Sequence, residues 1–118
     1  MSGIESKSFD RPDEVRAPDK TKVDVVNIGG TEVGRFTFQP GWRWSECIKP
    51  VAKTDSCQND HVGFLQAGRM HVVHNDGTEL EIAPGEAYRI APGHDAWVVG
   101  NEPVVAYEFK SAATYAKG

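Results

Sequence analysis

Two cysteines, four histidines and three tryptophans are the residues of this 118-residue chain best suited to chemistry. In the stretch PGEAYRIAPGHDAWVV, residues 84–99, His94 stands where a turn hands over to a strand. A histidine there is a metal ligand, a catalytic group, or a hydrogen-bond anchor that finishes the turn. Cys47 and Cys57 match no CxxC knuckle or redox motif and are expected as free thiols in a reducing compartment. His71 and His74 flank Asn75-Asp76-Gly77 and are expected in solvent. Trp42 and Trp44 share a face, with Arg43 opposite. Together with Trp97 they offer a flat apolar wall for a small organic ligand, or else core or a dimer seam. Tyr88 and Arg89 would suit a ligand carboxylate, although surface duty is the expected role of Arg89.

These residues must be positioned by strands. Val23 to Ile28 reads as one, ended by Gly29-Gly30, and Glu32 to Phe38 as a second. After the turn Gln39-Pro40-Gly41, WRWSECIK alternates and is expected as a third. Residues 50–59, PVAKTDSCQN, read as a loop. HVGFLQ and MHVVH form a hairpin pair, and Asp76-Gly77 then gives a tight turn, because these residues accept positive φ. TELEIA, EAYRI, AWVVG and VVAYEF follow, separated by Pro-Gly and Asn-Glu-Pro turns. Roughly nine short strands at this spacing predict an all-β sandwich, barrel or jelly roll. The first residues are charged and carry X-Pro steps, which predicts an N-terminal arm over 1–21 and not a core strand. The β-barrel is expected over 22–110 and a tail, with at most one helical turn, over 111–118.

Composition narrows the function. Thirteen Lys and Arg against 17 Asp and Glu give a net charge of -4, which argues against a nucleic-acid partner. No apolar run can span a bilayer, and MSGIESKSFDRPDEVR lacks a signal-peptide core, so a cytoplasmic location is the expectation.

The run from Pro40 to Phe109 resembles the cupin superfamily, a small β-barrel of jelly-roll type, also described as a double-stranded β-helix. PGWRWSE, HVGFLQAGRMHVVHNDGTELEIAPGEAYRIAPG and HDAWVV carry the likeness. Against the superfamily's first motif, counted from Gly41, the two histidine positions fall on Cys47 and Lys49; counted back from Gly68, the glutamate position falls on His61. Gly85 and Gly93 keep the spacing of the second motif, whose histidine position falls on Ala96. The metal motif is therefore degenerate. His94 lies two residues earlier, on the same face of a strand, and would point inward nearer the barrel mouth.

What the resemblance implies is a metal site of Cys47, His61 and His94, with or without Cys57 from the preceding loop. Thiol and imidazole suit Zn²⁺, then Fe²⁺ or Ni²⁺, and with few carboxylates the set does not suit Mg²⁺ or Ca²⁺. The competing readings are a buried hydrophobic Cys47 and a His61 that caps a strand beside Asp60. A buried Lys49 would have a lowered pKa suited to base or Schiff-base chemistry. The superfamily spans dioxygenases, isomerases, epimerases, decarboxylases, storage proteins and sugar sensors, so fold does not choose an activity. The expectation is a homodimeric cupin that binds a small organic molecule in its barrel, lined by Trp42, Trp44, Lys49, Tyr88 and Trp97, with a divalent transition metal as cofactor. A metal-dependent enzyme of dioxygenase or isomerase type and a metal-free sensing or regulatory cupin are the alternatives.

Overall fold

The structure, a computed structural model, describes residues 3–116. Strands form where the sequence alternates: β1 (Glu14–Arg16), β2 (Thr21–Ile28) and β3 (Thr31–Phe38) come first. Two helical turns follow, α1 (Trp44–Cys47) and α2 (Lys49–Ala52). The rest is β4 (His61–Ala67), β5 (Met70–His74), β6 (Glu79–Ile82), β7 (Ala87–Ile90), β8 (His94–Val98) and β9 (Val104–Glu108). They make a six-stranded sheet, β1-β2-β3-β9-β4-β7, and a three-stranded sheet, β6-β5-β8, with every pairing antiparallel.

One core lies between the sheets. Val23, Val25, Phe36, Phe38, Leu65 and Val104 from the larger sheet meet Met70, Val72, Ile82 and Val98 from the smaller. Each buried side chain of this size contributes about 1.5–3 kcal/mol relative to exposure. A register slip of one residue would turn the inward set outward, so the alternation fixes the pairing. β4 shows it plainly: His61, Gly63 and Leu65 are buried, while Val62, Phe64 and Gln66 are exposed. Gly63 also lets β9 approach, since a Cβ there would stand 2.1 Å from the Tyr107 carbonyl oxygen. That approach sets Glu108 directly opposite Gly63 and two residues along β4 from His61.

Three sequence expectations change. WRWSECIK does not continue as a strand but folds as α1 and the start of α2. Trp44, Cys47 and Ile48 stand at i, i+3 and i+4, and all three are buried, which is helical spacing. Pro50 falls in the first turn of α2, where its missing N–H leaves no bond unmade. The expected arm supplies an edge strand, because β1 pairs with β2 through Val15 and Asp24. Arg16 of β1 is buried and donates to the carbonyls of Ala112 (2.8 Å) and Tyr115 (2.6 Å). Those bonds tie the expected tail into the core, where Ala112 and Tyr115 are buried. Residues 1–2 and 117–118 of these segments lie outside the described residues. No helix of the described residues is long and apolar enough to cross a membrane.

Two spaces open off this frame. β6 and β7 each end their sheet, and a groove of about 790 Å³ lies along them over Val72, Ile82 and Ile90. Deeper, a cavity of about 20 Å³ is bounded by Ile90, His61, His94, Trp42, Trp44 and Tyr115, among others.

Candidate metal centre

Three chain segments bring a thiol and two imidazoles together. His61 opens β4 and His94 opens β8, each on the inward phase of its strand. Cys57 lies in the polar loop, yet its backbone is held like a strand neighbour of β8. Its N–H donates to the His94 carbonyl at 2.8 Å, and its own carbonyl accepts from Gly93 at 2.7 Å. The donor atoms of Cys57, His61 and His94 all lie within 4.8 Å of one another, and all three residues are buried. Cys57 Sγ is 3.5 Å from His61 Nε2. The two imidazole rings stand 5.0 Å apart.

A second layer fixes the rings. His61 Nδ1 donates to Glu108 Oε1 at 2.5 Å, and His94 Nδ1 donates to the Ala91 carbonyl at 2.7 Å. The Nε2 atoms are thereby the ring nitrogens left to face the cluster, His61 Nε2 against the Cys57 thiol. Metal-ligating histidines recurrently have this arrangement, with the far nitrogen held by a carboxylate or a backbone carbonyl. Glu108 is held in turn: Tyr88 OH donates to its Oε2 at 2.6 Å and Ser111 Oγ to its Oε1. The donor set fits a thiophilic divalent ion with one position left over, since three protein ligands plus an open site is the usual form of a reactive zinc centre.

In the metal-free protein the electrostatics favour a thiolate beside a protonated imidazole, whose proton a metal would displace. Burial alone would push the Cys57 thiol up, but hydrogen bonds and charge from His61 and His94 bring it down from 9.0 to about 6. Burial works against a charged His61, yet Glu108 and Cys57 raise it to about 10. Burial likewise opposes ionised Glu108, and His61, Ser111 and Tyr88 outweigh it and hold the carboxyl below its ordinary value. Cys57 is therefore a thiolate at neutral pH, as ligation requires. In metal-free protein the ultraviolet absorbance of thiolate should rise with a midpoint near pH 6 and lose that phase in Cys57→Ser. Its folded value lies below 9.0, so its stabilising share is complete above pH 9 and is lost as pH falls through 6. A single thiol phase near pH 9 would contradict the pairing.

The other expected site residues are placed as follows. Cys47 of α1 is buried, and its Sγ lies 3.8 Å from Asp19 Oδ2; it does not join the three donors, so the thiol of the cluster is Cys57. Trp42 and Trp44 are buried, Trp42 stacked on Phe38 with centroids 4.0 Å apart. Trp97 lies on the other face of β8, stacked on His71 and covered by the Arg43 guanidinium at 4.2 Å. Lys49 opens α2, half-buried. Tyr88 lines the groove as well as reaching Glu108. Arg89 is exposed and pairs with Asp60 at 3.0 Å.

Glu108, Ser111 and Tyr115 are the functional neighbours that sequence reasoning missed. The signal for Glu108 was present: in VVAYE it occupies the inward phase shared by Val104 and Ala106, where a carboxylate needs a partner. Ser111 and Tyr115 gave no such signal.

No family model matches the chain, and no curated protein matches it by sequence. Solved structures do match. A protein of unknown function from Rhizobium leguminosarum BV. viciae 3841 aligns with TM-score 0.65 and 20% identity, over 92% of this chain and 98% of that one. A cupin-like protein of Thermotoga maritima msb8 aligns with TM-score 0.53 and 14% identity, over 78% and 68%. The iron protein Fe(II)-HppE, solved with an alternative substrate, aligns with TM-score 0.57 and 6% identity, over 91% and 60%. Two antiparallel sheets around one core, and this likeness to solved structures, give the chain a cupin-type β fold.

Proposed function

We propose that this protein is a metal-binding cupin that holds one divalent transition metal on Cys57, His61 and His94 and takes a small organic molecule in the groove beside β6 and β7. The observation that carries the metal is the pair of histidines whose Nδ1 atoms are already engaged, leaving both Nε2 atoms beside a buried thiol. One thiolate and two imidazoles favour Zn²⁺ over Fe²⁺ or Ni²⁺. When bound, such an ion supplies Lewis-acid polarisation of a ligand oxygen. Fe(II)-HppE, a neighbour in fold, contains iron, which supports a metal of this class.

The groove supports the organic ligand. Its volume of about 790 Å³ falls in the range of small-molecule sites, and its floor of Val72, Ile82 and Ile90 is apolar with Tyr88, Glu86 and Arg89 around it. The space beside Trp42 and Trp44 is about 20 Å³, too small for such a molecule. Tyr88 connects the two regions, since it lines the groove and hydrogen-bonds the carboxylate that holds His61.

Cys57, His61 and Glu108 also align as thiol, imidazole and carboxylate, the order of a nucleophilic triad. A nucleophile must meet a substrate atom, and Cys57 is 1% exposed. Metal ligation uses all three donors.

Cobalt substitution tests the assignment. Co²⁺ added to metal-free protein should produce a thiolate-to-cobalt charge-transfer band that persists in Cys47→Ser and disappears in Cys57→Ser. A band lost in Cys47→Ser and kept in Cys57→Ser would overturn the ligand set.

A further inference from the structure

We propose that the indole N–H groups of Trp42 and Trp44 form a subsite for a small hydrogen-bond-accepting anion, of hydroxide or halide size, beside the Cys57–His61–His94 centre. The inference rests on the metal reading for its positive charge, and on the two indoles for its donors.

Trp42 and Trp44 are each 2% exposed, and neither Nε1 has an acceptor among the described residues. Buried polar groups in native proteins nearly always have partners, so two unpartnered donors in neighbouring residues call for a common explanation. Both residues line the cavity of about 20 Å³, and so do His61 and His94. Two features thus meet around one cavity: tryptophans whose donors are unpartnered, and two members of the metal-ligand cluster.

The chemistry of the lining selects the occupant. An indole N–H donates and never accepts, so the occupant must accept. A cation is refused by the same donors. A space of about 20 Å³ suits a small species of about water size and not an organic molecule. Phe36, Phe38, Met70, Ile90 and Ala96 are the apolar part of the wall, which strengthens charge-assisted hydrogen bonds, and Tyr115 adds a hydroxyl to it. Glu108 also borders the cavity, but its oxygens are engaged by His61, Tyr88 and Ser111. Trp42 packs as core against Phe38, and in the proposal the unpartnered N–H of each indole supplies the recognition.

The test is a fluoride titration, followed by chloride, monitored through the three indole N–H signals in proton–nitrogen correlation spectra of ¹⁵N-labelled protein. Trp97→Phe identifies the outer ring by elimination and leaves the core intact. Zinc-loaded and chelator-treated proteins are compared, with zinc content measured on both. Saturable shifts of the Trp42 and Trp44 signals, with Trp97 unmoved, support the subsite, and Trp44→Phe should weaken fluoride binding roughly tenfold or more. The same shifts without zinc support the indole donors while removing the metal from the account. Retained zinc with neither inner indole responding overturns the subsite and leaves the metal reading standing. No zinc uptake and no response overturns both. Equal movement of all three signals marks a general salt effect and also overturns it.

Discussion

Glu108→Ala will destabilise the fold by about 3–5 kcal/mol, the usual cost of removing one partner from a buried ion pair. Glu108 is 3% exposed, and its two oxygens accept hydrogen bonds from His61, Ser111 and Tyr88. Alanine leaves all three donors facing a cavity, and a charged His61 with no counter-ion. Against a total stability of about 5–15 kcal/mol, that loss is a third or more of the margin for many domains. In urea it appears as a lower midpoint at unchanged slope, and on heating as a fall of roughly 10–20 °C. A loss below about 1 kcal/mol would mean that His61 and Glu108 are not a charged, buried pair.

Zinc affinity will fall about 10–100-fold in Glu108→Gln, the range found when the partner behind a ligating histidine is altered. Glutamine keeps the shape of the side chain and one acceptor for His61 Nδ1, but not the charge that makes the imidazole a stronger donor. His94→Ala removes a ligand outright and will reduce affinity further than Glu108→Gln, beyond 100-fold. Competition with a chromophoric chelator measures both. Cys47→Ser, outside the three donors, is the control and keeps wild-type affinity. Equal affinities in His94→Ala and the wild type would remove His94 from the site.

The difference between what the sequence revealed and what it hid is physical. β3, β4, β8 and β9 were legible because one face of each packs on the core, so period-2 alternation survives in the residues. His94 was legible for the same reason: it shares the inward phase of β8 with Ala96 and Val98. WRWSECIK was misread because Trp42 and Trp44 imitate alternation, while the helical spacing of Trp44, Cys47 and Ile48 held the answer. The placing of Cys47 beside His61 and His94 follows from that error, while Cys57, expected only as an added donor, joins them. A strand would have carried Cys47 along the barrel wall, whereas α1 seats it near Asp19. Cys57 sits in a loop whose position is set by backbone bonds to Gly93 and His94, contacts between segments distant in sequence. No local pattern announces such bonds. Tyr115 was hidden likewise, because the carbonyls of Ala112 and Tyr115 are gripped by Arg16 from the opposite end of the chain. Arg89, expected at the surface, is exposed there, and its pairing with Asp60 had no signal in the sequence.

Metal content by elemental mass spectrometry, on protein purified without a metal-affinity tag, tests the central claim most directly. Wild type, Cys57→Ser, His61→Ala and His94→Ala are measured side by side, as isolated and after exposure to Zn²⁺ under reducing conditions. The expected result is about one equivalent of a divalent transition metal in the wild type, lost in all three variants while each remains folded. A folded wild type that takes up no zinc and no iron, or a metal retained when Cys57, His61 and His94 are removed in turn, would contradict a centre built on these residues.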